Sequence, residues 1–158
     1  MPLVSRGARR RLARLSTAAV VCVSVLAFDG HPVGADATTD AYSVLASIQA
    51  DRMWVHAAPL AVDASLSQWA LAHSEKMAQA GTIFHTASLY SVAALVPNWE
   101  RVAENVGTGP TWQSVETAFE HSPEHLANML GPYDLVGIGV VDTGTEVYVT
   151  EDYAEAPG

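Results

Sequence analysis

From Leu135 onward the chain changes period. LVGIGVV and EVYVTEDYA alternate and are rich in β-branched residues, and Asp142-Thr143-Gly144-Thr145 lies between them. Period two on both sides of a glycine-containing turn predicts a β-hairpin. The pieces before it recur at helical spacing, so helices come first and strands last. That order points to an α+β fold with helices packed on a small antiparallel sheet.

Four stretches read as helices. Val44, Leu45, Ile48 and Arg52 repeat through a segment of about 41 to 54, ended by Ala57-Ala58-Pro59-Leu60. Leu66, Trp69, Ala70, His73 and Met77 form one stripe over about 64 to 80, with Asp63 or Ser65 as cap and Gly81 as stop. Trp112, Val115 and Phe119 share a face of a helix started by Thr111. Ser122 at the N-cap, Pro123 at the first position and Glu124 near the positive end of the dipole open a shorter one. Between the second and third, SLYSVAALVPNW is a helical run ended by Pro97. A short extended stretch follows around Val102 to Val106, and Gly107, Gly109 and Pro110 read as a loop. There are no internal repeats.

Five arginines between Arg6 and Arg14 precede the apolar run Leu15 to Phe28, and Ala35-Asp36-Ala37 fits small-x-small cleavage. This is the pattern of a secretory signal peptide over residues 1–37, cleaved after Ala37, leaving one domain over 38–158. The apolar run is 14 residues long, short of the roughly 20 needed to span a bilayer. An uncleaved anchor is the alternative. The expected mature chain keeps three basic residues against fifteen carboxylates, a net charge of −12. Such a surface repels phosphate backbones and anionic headgroups, which excludes nucleic acid and favours a cation, a neutral lipid or a basic peptide. The one cysteine, Cys22, lies in the apolar run, so the exported domain carries no disulfide and stands on its core.

His85, Glu104 and His125 stand out by position, yet their separations are too long for a local metal motif. The order of pieces resembles the CAP superfamily, the secreted domain of cysteine-rich secretory proteins, antigen 5 and pathogenesis-related-1 proteins, in its bacterial form. The resemblance runs from Ala41 to Ala154. It rests on Leu66-x-x-Trp69-Ala70-x-x-His73-Ser74-x-x-Met77-Ala78, the isolated His85, Ala103-Glu104-Asn105-Val106, Ser122-Pro123-Glu124-His125-Leu126-Ala127-Asn128-Met129-Leu130, and Gly137-Ile138-Gly139.

The resemblance implies an α-β-α sandwich in which His85, Glu104 and His125 converge on one cleft with Ser122 beside them. It also implies a second glutamate after Phe119, where this chain has Ser122. His85 and His125 are then the candidate metal ligands, with zinc the possible cofactor, since neutral imidazoles bind Zn²⁺ and a carboxylate can join or orient them. Ser122 is expected to direct its hydroxyl to the backbone N–H of residue 124 or 125. His56, His73 and His121 are expected at the surface, and Trp54, Trp69, Trp99 and Trp112 in the core and cleft wall.

Two functions follow. One is a secreted binding module whose cleft holds a divalent cation, a small apolar ligand or a peptide without turnover. The other is a hydrolase with Glu104 or a metal-bound water as base and His85 and His125 polarising a carbonyl, Glu104 and His125 being the catalytic candidates.

Overall fold

Gly137 and Gly139 decide how the layers of this molecule meet. In the computed structural model, which describes residues 35–156, both glycines face the backbone of the second helix. A Cβ on Gly137 would lie 2.2 Å from the Leu66 carbonyl carbon, and one on Gly139 2.2 Å from that of Ala70. Two strand residues advance about 6.7 Å and four helical residues about 6 Å, so the pair of glycines tracks one turn of helix. No larger side chain fits there without displacing the helix.

The elements run α1 (Ala35–Trp54), β1 (Ala61–Val62), α2 (Ala64–Ala80), α3 (Leu89–Ala93), β2 (Arg101–Gly109), α4 (Trp112–Glu120), α5 (Pro123–Met129), β3 (Leu135–Asp142) and β4 (Val147–Glu155). The sheet order is β1-β3-β4-β2. The expected hairpin is β3–β4. The sheet is mixed rather than purely antiparallel, because the two-residue β1 pairs parallel with β3.

Three layers result. On one face, Val44, Ile48, Val115, Phe119 and Met129 pack on Val136, Ile138, Val140, Val149 and Tyr153. On the other, Leu66, Val92 and Val96 pack on Ala154, and Met77 packs on Val106 and Tyr148. Ser74 fixes α2 to the sheet through Gly139 O (3.0 Å) and the Thr150 hydroxyl (2.8 Å).

Local signals set the ends of α2. The Asp63 carboxylate accepts from the N–H of Ser65 and of Leu66, and Gly81 closes the helix at φ 63°. Thr111 and Ser114 form a capping box on α4. The guanidinium of Arg52, buried at 1% exposure, donates to the carbonyls of Ala58 (2.7 Å), Met129 (2.7 Å), Gly131 (2.9 Å) and Tyr133 (3.1 Å).

Several expectations need correction. β2 is nine residues long and takes in Gly107 and Gly109, which are strand rather than loop; a Cβ on Gly107 would meet Val115 and Phe119. Trp54 is 86% exposed, and Trp69, Trp99 and Trp112 are only partly buried, so aliphatic residues with Phe119 and Tyr153 make the main core. His73 is buried, whereas His56 and His121 are exposed. The apolar run and Cys22 lie outside the described residues. α1 begins before Ala37, so the expected cleavage falls in its first turn. Among the described residues no helix is long and apolar enough to cross a membrane.

Candidate functional site

β2 is an edge strand, and beside it lies a cleft of about 710 Å³ lined by His85, Thr86, Tyr90, Glu104, Asn128 and Tyr133, among others. Glu104 sits mid-strand with its side chain 1% exposed. One of its oxygens accepts from His85 Nδ1 (2.9 Å) and Thr86 N (2.8 Å), and the other from the Thr86 hydroxyl. The His85 ring is 63% exposed. With its Nδ1 hydrogen given to Glu104, it leaves Nε2 as a bare nitrogen, the arrangement by which a carboxylate fixes an imidazole's tautomer.

His73 holds this loop from below. Its Nε2 donates to Phe84 O (2.8 Å) and lies 4.0 Å from Glu104, while its ring meets Phe84 edge-on at 5.2 Å. A histidine expected at the surface is therefore a buried support for the His85 segment. Its partner is a loop carbonyl eleven residues on, which helical periodicity does not reveal.

The other expected residues come from α5. His125 packs its ring on Phe119 (4.7 Å), and its Nδ1 is buried without a hydrogen-bond partner. Burial, and then repulsion from His85 when that ring is also protonated, lowers its pKa from the usual 6.5. The structure joins His85 to Glu104 directly; His125 makes no hydrogen bond to either. Ser122 is the N-cap of α5, yet its side chain makes no capping bond, contrary to expectation. The helix relies on Pro123 and Glu124 instead.

Asn105, the residue after Glu104, points to the opposite face and anchors α5. Its Nδ2 donates to His125 O (3.2 Å) and to Glu151 (2.9 Å), and its Oδ1 accepts from Asn128 Nδ2 (2.9 Å). The same Glu151 oxygen accepts from the Tyr153 hydroxyl (2.7 Å). Behind it, Glu116 of α4 has no N–H or O–H donor on either oxygen and faces Glu151. Burial, and then Glu151, push the Glu116 carboxyl up to about 11. Burial also raises Glu151, and burial with Glu104 and Glu151 brings Asp152 to about 8. The raised value favours the protonated form of Glu116 at neutral pH.

The zinc expectation meets a limit here. Both Glu104 oxygens are committed to protein donors, and among the described residues no group of three or more His, Cys, Asp or Glu side chains is placed to hold a metal. A water-activating zinc with three protein ligands does not fit. At the opposite edge of the sheet, a groove of about 360 Å³ between α1 and α2 is lined by Tyr42, Leu45, Val62, Leu71 and Ile138, and by no acidic or basic side chain. The titratable side chains His85 and Glu104 line the β2 cleft instead.

Comparison with known proteins agrees with this architecture. Residues 45–153 match the model of the cysteine-rich secretory protein family, CAP. The fold is similar to that of an outer surface protein of Borrelia burgdorferi, with a TM-score of 0.68 and 18% identity over 75% of this chain and 94% of that one. It is also similar to an extracellular SCP-domain protein of Bacillus anthracis (TM-score 0.68, 17% identity, 79% and 45% covered). A cysteine-rich secretory protein of Staphylococcus aureus is a further neighbour (0.64, 19%, 78% and 40%). The chain thus spans less than half the length of the last two. No curated protein matches in sequence.

Proposed function

The chain belongs to the cysteine-rich secretory protein (CAP) family, and we propose that it is an exported member that binds a ligand in the β2-edge cleft without chemical turnover. The observation that carries this reading is Glu104. A general base needs a free oxygen within reach of the proton it takes. Glu104 instead holds three protein donors and serves to orient His85. The exposed Nε2 of His85 is then the polar contact offered to a ligand. The hydrolase alternative lacks support here, because its base is occupied and Ser122 has no hydrogen bond to a histidine that would activate it. Export after cleavage at Ala37 belongs to the same reading.

Zinc is a convenient probe of the imidazoles. The expected result is weak Zn²⁺ binding by calorimetry that is lost in His85→Ala and reduced in His125→Ala, and that weakens at acid pH as protons compete for the rings. Because the His125 pKa is already lowered, its share of the binding should persist to lower pH than that of an ordinary histidine. Equal zinc affinity in all three proteins would remove both histidines from ligand binding. Turnover of a model ester abolished by Glu104→Gln would overturn the reading itself.

A further inference from the structure

Resting on the reading of the β2-edge cleft as a binding site, we propose that its ligand is a basic peptide, an extended segment with lysine or arginine beside apolar side chains. Three independent features converge on that chemistry.

The first is the polarity of the cleft's hydrogen-bonding groups. His85 gives its Nδ1 hydrogen to Glu104 and keeps Nε2 as an acceptor. Asn128 gives its Nδ2 to Asn105, so its Oδ1 is the atom left over. Two side chains in the lining therefore offer lone pairs to a ligand that brings hydrogen-bond donors.

The second is charge. Glu100, Glu124 and Asp134 are exposed; in the chain Glu100 lies two residues before Val102, Glu124 one helical turn before Asn128, and Asp134 next to Tyr133, all three being cleft-lining residues. Arg101 is the only lysine or arginine after Lys76, and it is paired with Glu155 at 3.3 Å. The field at this edge draws cations and repels anions.

The third is an apolar lip. Ile83, Phe84, Leu89 and Tyr90 are all exposed, on both sides of His85, and Tyr90 is 76% exposed with its ring edge-on to Trp99 at 5.9 Å. A free metal ion would leave this lip unused, and an uncharged lipid would leave the acceptors unused. A peptide alternating cationic and apolar side chains uses both.

The test is fluorescence anisotropy of the purified protein with three labelled hexapeptides: alternating Lys-Leu, alternating Glu-Leu and alternating Lys-Ser. The Lys-Leu peptide should bind, and the other two at least about tenfold more weakly. Binding should fall as salt is raised from about 0.05 to about 0.5 M, where screening removes the long-range field. Tyr90→Ser and the double variant Glu124→Gln, Asp134→Asn alter exposed side chains and should each weaken the Lys-Leu peptide by about threefold or more. Equal binding of the Glu-Leu peptide overturns the proposal. So does the absence of any peptide binding while zinc still binds through His85, an outcome that leaves the cleft reading standing. If neither zinc nor peptide responds to His85→Ala, both fall.

Discussion

Glu104 and Glu151 occupy adjacent rungs of the β2–β4 ladder, where Glu104 pairs with Asp152 and Asn105 with Glu151, and they point to opposite faces of the sheet. Their burial is alike, with Glu104 at 5% exposure and Glu151 at 0%. Their surroundings are not. Glu104 meets three donors from one loop. Glu151 has two donors on one oxygen, none on the other, and a second carboxyl, Glu116, in front of it. Burial alone therefore does not decide what a carboxyl does; the supply of donors does. Glu104 is a committed acceptor that aims a histidine, whereas burial and a facing carboxyl push Glu116 toward its protonated form.

The largest expected effect is on stability against pH. Unfolded, Glu116 and Asp152 ionise near 4; folded, they keep their protons to about 11 and about 8. Between those limits the folded state binds more protons, so stability is full below about pH 4 and is lost as pH rises. Each such acid contributes up to about 1.4 kcal/mol per pH unit, so the fall from pH 5 to pH 8 should be up to about 4 kcal/mol from each. Urea unfolding at both pH values measures it. A protein equally stable at the two would mean that Glu116 and Asp152 are solvated.

A matched pair of substitutions sharpens the contrast. Glu104→Gln places an amide N–H₂ against Thr86 and His85 and should destabilise by about 2 to 3 kcal/mol, as expected for donors left without an acceptor. Glu116→Gln keeps shape without ionisation, and at pH 8 it should be neutral or stabilising by about 1 kcal/mol. Thermal unfolding at pH 8 compares them, and effects of the same sign would break the distinction between the faces.

The smallest effect belongs to the residue that joins the network to the cleft. Asn105→Ala releases α5 from β2 and should cost about 1 to 2 kcal/mol, from the lost bonds and the unpaired Glu151 oxygen. It should also disturb the ring signals of His125 by NMR. Unchanged His125 signals would show that α5 is held by packing on Phe119 alone.

Much of the scaffold can be read from the chain, because its signals are local. Asp63 and Gly81 bracket α2, Pro123 opens α5, and the turn at Asp142 to Thr145 sets the hairpin. The buried polar groups are harder. Polarity suggests exposure for His73, whose partner is a loop carbonyl that no local pattern announces. β2 shows no alternation because both its faces are covered from Ala103 to Gly107, and its pairing partners lie some 40 to 50 residues away in sequence. The acid pair Glu116–Glu151 has one available clue. In a three-layer sandwich a central strand is buried on both faces, so Glu151 and Asp152 of β4 could not both escape to solvent. Trp54 misleads in the other direction: bulk suggests core, but α1 ends with that ring facing water.

Arg52 also bears on how the molecule comes together. Its guanidinium closes on carbonyls 77 to 81 residues further along the chain, and among the described residues no carboxylate pairs with it. Until the Met129–Tyr133 turn arrives, the end of α1 can bury only a poorly solvated cation, which is costly. The first helix therefore gains a stable seat late, together with the turn that delivers Tyr133 to the cleft. Long-range closure of this kind slows folding, and it ties α1 to the Met129–Tyr133 turn, so the two are expected to melt together.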